Sequence, residues 1–295
     1  MSLIPGADSY LEFKMLGTMI SAITYGIVIV LSGNCFLLLQ RKRGIYSNRM
    51  RLFLLIYVTI MLLFSTSAII LSILGITLLI FRDVNVPLPI DLPLLITYSP
   101  AMLPLTMWGA DVFMIWRCVI LYQDVARVPR ILVIVLLSLL SILSLGSGVM
   151  TFIALTTDPI FTRVLIMCST LVNIVLAALI ILRLIYHQRH IRKVLGMAHG
   201  SPYSKVITMC VESSALIVIF GGVYTVLAFE QGNGSVLIPF LLLPHICVIS
   251  PLLIVYRVAK GRAVTTTIHP SEQATAQIRF NDPPSIRSSQ EEKEV

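Results

Sequence analysis

Seven apolar stretches run along the chain, at about 15–39, 52–80, 98–122, 131–155, 164–186, 207–229 and 236–258. A hydrocarbon layer about 30 Å thick takes roughly 20 apolar residues per helical crossing. Each break between stretches holds charge or a cluster of Pro, Gly or Asn, which would be costly in hydrocarbon. The pattern predicts an all-α polytopic membrane protein, a seven-transmembrane-helix bundle. Residues 1–14 form a short N-terminal segment and 15–258 the transmembrane domain. In 259–295 Ser, Thr, Pro, Gln and mixed charge replace the apolar residues, which predicts a disordered cytosolic tail. No internal repeat is visible.

Composition agrees with this reading, at 57% hydrophobic and 12% charged residues. The distribution of charge adds an orientation. The first link carries Arg41, Lys42, Arg43, Arg49 and Arg51, and the fifth with its flanks carries Arg183, Arg189, Arg192, Lys193 and Lys205. On the alternate side stand only Lys14, Arg82 and Arg163 of the 22 basic residues. The positive-inside rule then predicts an N-terminus outside or lumenal and a cytosolic C-terminus, in the plasma membrane or another membrane of the secretory route. A net charge of +8 beside the spans implies contact with anionic lipid headgroups, not nucleic acid. The first span, preceded by Asp8 and Glu12, is expected to stay as a signal anchor.

All five cysteines, Cys35, Cys118, Cys168, Cys210 and Cys247, fall in predicted spans, so no outside disulfide is expected. A glycosylation sequon, Asn233-Gly234-Ser235, lies in a predicted outside link, where the short distance to the membrane is expected to leave Asn233 bare.

Polar residues within the spans are the chemical clues, because charge at mid-bilayer costs a few kcal/mol and is placed against other helices or a cavity. Counting about 1.5 Å per residue, Asp111, Asn173 and His245 share a layer on the order of 15–20 Å from the predicted cytosolic boundary. Trp108 sits one turn from Asp111, and Pro100, Pro104, Pro239, Pro244 and Pro251 can bend spans three and seven around a cavity. This layer is the candidate ligand site. The alternative is a scaffold in which Asp111 pairs with His245 or a neighbouring helix and Asn173 glues helices together. Nearer the predicted cytosolic face, Arg117 and Glu212 stand at matching depths, which predicts an ion pair latching spans three and six. A static pair, or Arg117 reaching to lipid phosphates, is the alternative.

Enzyme motifs are missing: no Ser–His–Asp order with flanking glycines, no Cys-x-x-Cys, no His-Glu-x-x-His and no phosphate loop. No cofactor or metal site is expected. Span seven holds no Lys for a retinal Schiff base.

Trp108-x-x-Asp111, Trp116-Arg117-Cys118, Glu212-Ser213 and Arg257-Val258-x-x-Gly261-Arg262-Ala263 resemble a large, mostly uncharacterised family of seven-span, receptor-like proteins of mushroom-forming fungi. Where that family often has Tyr before the Arg-Cys pair, this chain has Trp116. The resemblance covers nearly the whole chain and implies fold and location. An Asp-Arg-Tyr box after span three is lacking, which argues against coupling to heterotrimeric G proteins. The expected function is a receptor-like signalling protein that binds a small apolar ligand inside the bundle and changes its contacts with a cytosolic partner. Two alternatives stand beside it: a membrane-embedded cyclase or isomerase acting on a prenyl substrate, with Asp111 or Glu212 as proton donor, and a transporter.

Overall fold

The computed structural model describes residues 7–41, 48–80, 102–122, 127–153, 159–195, 201–229 and 234–280. They form α1 (Ala7–Arg41), α2 (Asn48–Ile80), α3 (Met102–Leu121), α4 (Arg127–Ile153), α5 (Pro159–Leu195), α6 (Ser201–Phe229), a 3-10 turn (Gly234–Val236) and α7 (Leu237–Phe280). Among the described residues there is no strand. All seven helices contain a stretch long and apolar enough to span a bilayer. The chain is a multi-pass membrane protein built as an all-α bundle.

Proline marks where these helices begin. Pro104, Pro129, Pro159, Pro202 and Pro239 occupy the first, second or third position of α3 to α7. A first turn has no intrahelical partner for its N–H groups, so proline is tolerated there and its fixed φ suits the helix. Pro100 lies outside the described residues.

The exterior is apolar. Ile23, Val30 and Leu37 on α1, Leu139 and Ile142 on α4, and Phe229 on α6 are all exposed. Water would penalise so large an apolar surface; lipid tails do not. Ser65, Thr106, Asp111, Asn173, His245 and Ser250 are buried inside instead, while exposed hydroxyls such as Thr59 and Ser138 bond their own helix. Many hydroxyls bond the backbone one turn back, such as Ser72 Oγ to the Ala68 carbonyl and Ser141 Oγ to the Leu137 carbonyl, both 2.8 Å. Such bonds satisfy groups that have no water to turn to.

One helix holds the bundle together. α7 packs against α1, α2, α3 and α6, while α3 packs against α2, α4, α5 and α7. Residues 242–252 of α7 are buried without a break. A helix with one free face would alternate, so this run is surrounded. Small residues allow close approach elsewhere: a Cβ on Gly148 of α4 would stand 2.5 Å from the Trp108 ring of α3.

Seven crossings place the α1–α2, α3–α4 and α5–α6 links and the end of α7 on one side, termed the basic face after its charge. The N-terminal face lies opposite. At about 1.5 Å per residue, the 37 residues of α5 and the 44 of α7 exceed a 30 Å hydrocarbon layer, so both project beyond it. α7 stays helical to Phe280, past the expected start of a disordered tail at 259. Ala263, Glu272, Gln273, Ala274 and Ala276 favour the helix there, and Pro270 opposes it.

Candidate functional site

Asp111, 2% exposed, is the centre of a polar cluster joining three helices. From α4, Ser144 Oγ donates to Asp111 Oδ2 at 2.6 Å. From α5, Asn173 Nδ2 donates to Asp111 Oδ1 at 2.8 Å, and Ser169 Oγ makes a long contact to Oδ2 at 3.5 Å. Asn173 and Ser169 are one turn apart, and Asn173 Nδ2 also donates to the Ser169 carbonyl at 3.0 Å. Both amide donors of Asn173 therefore point into the cluster, while its Oδ1 is buried with no hydrogen-bond partner. Trp108, one turn before Asp111, donates through Nε1 to the Ser144 carbonyl at 3.1 Å and lies against Phe152 with ring centroids 5.7 Å apart. Thus α3 grips α4 through both Trp108 and Asp111.

His245 belongs to a second cluster, on α1, α2 and α7. Its Nδ1 shares a hydrogen with Ser65 Oγ at 2.7 Å, and its ring lies 5.9 Å from that of Tyr25. Thr66 gives its hydroxyl hydrogen to the Leu62 carbonyl at 2.8 Å, so Tyr25 donates to Thr66 Oγ1 at 2.9 Å. No hydrogen bond joins Asp111 to His245. The layer expected as one site is two clusters, because the side chains at equal depth face different neighbours. Tyr57 links a helix of each cluster, donating from α2 to the Gly109 carbonyl of α3 at 3.1 Å and stacking on Phe113 at 4.9 Å.

Near the basic face, Glu212 of α6 forms an ion pair through Oε2 with Arg257 Nη1 of α7. The expected partner was Arg117. Since α6 packs against α5 and α7, the arginine within reach of Glu212 stands on α7. Beside this pair Ser250 Oγ of α7 donates to the Ser213 carbonyl at 2.8 Å, so α6 and α7 are fastened by an ionic and a neutral bond. Arg117 lies over the Phe113 ring, 5.7 Å from its centroid. Tyr122, at the end of α3, donates to the Leu179 carbonyl of α5 at 3.1 Å and carries the Arg183 guanidinium over its ring.

Sequence reasoning missed Ser144, Ser169, Ser65, Tyr25 and Arg257. One signal was available for Ser169, which precedes Asn173 by four residues and so shares its helix face. For Arg257 the signal was its place at the same end of the last span as Glu212. Asn233 lies outside the described residues. Among the described residues no group of His, Cys, Asp and Glu could hold a metal ion.

No family model, curated protein or solved structure matches the chain.

Proposed function

We propose that the protein is a receptor-like signalling protein with its N-terminal face outside or lumenal and its basic face in the cytosol. A small, mostly apolar ligand biases the bundle, and the basic ends of α6 and α7 change their contacts with a cytosolic partner. One observation carries this reading: the Glu212–Arg257 pair fastens α6 to α7 where both side chains remain partly exposed, at 48% and 36%. The pair stands near the basic ends of both spans, where long side chains reach toward the headgroup layer, and opening it frees two neighbouring helix ends at once.

The Asp111 cluster serves this reading as the fixed part. It ties α3, α4 and α5 together at mid-membrane, leaving α6 and α7 as the pair that can shift. The packing of Ser144, Ser169 and Asn173 around the Asp111 carboxylate favours a tie over a proton donor open to substrate. Trp108, Asp111, Glu212 and Arg257, the motif residues of the sequence, all bridge helices.

The test is a distance measurement on the full-length protein in nanodiscs, with spin labels at the exposed positions Ile120 on α3 and Val211 on α6. Glu212→Gln is expected to shift and broaden the distance distribution. A distribution identical to that of the unmodified protein would remove the latch and the receptor reading built on it.

A further inference from the structure

The outer face of α1 carries a regular row. Met19, Ile23, Gly26, Val30, Gly33 and Leu37 follow one another in alternate steps of four and three residues, and all six are exposed. Met19, Ile23, Val30 and Leu37 are 64% to 70% exposed, which puts them along the outermost line of the helix. A mean step of about 3.5 residues keeps such a row on one side of a helix that pairs with another. Lipid accepts any apolar residue here, so the two glycines need a separate cause. A glycine inside a helix costs about 0.5–1 kcal/mol relative to alanine. At Gly109, Gly148 and Gly221 the cause is a close neighbour, since a Cβ there would strike Met61, Trp108 or Thr170. At Gly26 and Gly33 a Cβ would meet nothing within 4 Å.

Beside Gly33 stands Asn34, also exposed. The exposed hydroxyls of Thr59, Thr77 and Ser138 each bond a carbonyl of their own helix. Asn34 forms no side-chain hydrogen bond to any described residue. Gly146 and Gly222 are open as well, but the hydroxyls nearest them, Ser147 and Thr225, are bonded within their helices. Asn34 lies seven residues before Arg41, about 10 Å inward along α1. Helical side chains lean toward the N-terminus, here away from the basic face and into the hydrocarbon. A polar group left unsatisfied in that layer costs several kcal/mol, so the partner of Asn34 comes from another helix at the same depth.

We infer that α1 pairs in parallel with α1 of a second copy of the chain, along this row. The surface holds both halves of its own contact. Where the glycines of two copies face each other the backbones approach closely, and each Asn34 finds its hydrogen-bond partner on the other copy's backbone, left bare at Gly33. A twofold axis along the membrane normal repeats the contact, so one patch satisfies both amides. The step of 3.5 residues gives a left-handed crossing of about 20°. The other side of α1 keeps its packing on α2 and α7, so pairing leaves the bundle intact and holds whether or not the protein signals.

The experiment counts copies of the full-length protein, one fluorophore per chain, by single-molecule photobleaching in large lipid vesicles over a range of protein-to-lipid ratios. A monomer–dimer equilibrium that follows dilution is expected. Asn34→Leu weakens the association constant about eightfold, from roughly threefold for each of two symmetric bonds. Gly33→Ile abolishes dimers by blocking the approach. Both positions face outward, so the thermal midpoint of each variant in detergent stays at that of the unmodified protein. Oxidative cross-linking locates the contact: Leu37→Cys joins two copies above the level of the unmodified chain, and Leu139→Cys, on the exposed side of α4, does not. Monomers at every ratio, dimers that cross-link through position 139 instead of 37, or an association constant unmoved by both Asn34→Leu and Gly33→Ile each overturns the inference.

Discussion

Asn173 donates to Asp111 across the α3–α5 interface at 2.8 Å, with both residues buried at mid-span. The bond joins an amide to the one carboxylate buried among the described residues, and Ser144 brings a third helix to the same group. Removing the carboxylate leaves several donors facing no acceptor in a layer that water does not reach. Asp111→Ala is therefore expected to destabilise the folded bundle by about 1–3 kcal/mol, read as a lowered thermal midpoint in detergent. Asp111→Asn keeps one acceptor and costs less. In a double-mutant cycle, Asp111→Ala and Asn173→Ala are expected to couple by at least about 0.5 kcal/mol; additive losses would show that the bond contributes nothing.

The α6–α7 pair behaves differently, because both of its members are partly exposed. Glu212→Gln or Arg257→Gln is expected to cost below about 1 kcal/mol of stability. It is also expected to speed amide hydrogen exchange at the basic ends of these two helices. Exchanging the charges, with Glu212→Arg and Arg257→Glu together, restores the slow exchange. Unchanged exchange in the single variants would deny the pair its role as a fastening.

Trp108 reports on its own packing. A Cβ on Gly148 would fall 2.5 Å from the indole ring, so Gly148→Ala displaces the ring and breaks its bond to the Ser144 carbonyl. The expected cost is about 1–3 kcal/mol, accompanied by a shift in tryptophan emission. With Trp116 replaced by Phe, Trp108 is the single emitter, and an unmoved spectrum would contradict the contact.

The α5–α6 contact offers a paired test. Gly221→Ala meets Thr170 Oγ1 at 2.2 Å and is expected to lower the thermal midpoint through overpacking of about 1–3 kcal/mol. Thr170→Ala in the same chain removes the clashing oxygen and recovers most of the loss. Absence of recovery would place the strain elsewhere.

The seven helices were legible because lipid imposes length and polarity along the chain, and proline marked five of their starts. Depth was legible too: Asp111 and Asn173, chosen for equal depth, do meet. Rotation about each helix was not, because it is fixed by which side chains interlock, and a count of residues from the boundary carries no azimuth. His245 shares the depth of Asp111 yet faces Ser65 and Tyr25. Glu212 met Arg257 for a related reason, since helix adjacency decides between two arginines at similar depth. The serines at 144 and 169 were hidden among many that bond only to their own helix, as Ser141 does.

The uninterrupted burial of 242–252 has a consequence for biosynthesis. The hub of the bundle is the last of its seven helices to leave the ribosome, so α1, α2, α3 and α6 wait in the translocon's vicinity with their central partner missing. Chains halted before Leu237 lack the element against which these four helices assemble, and quality control is expected to degrade them even though six membrane crossings have been made.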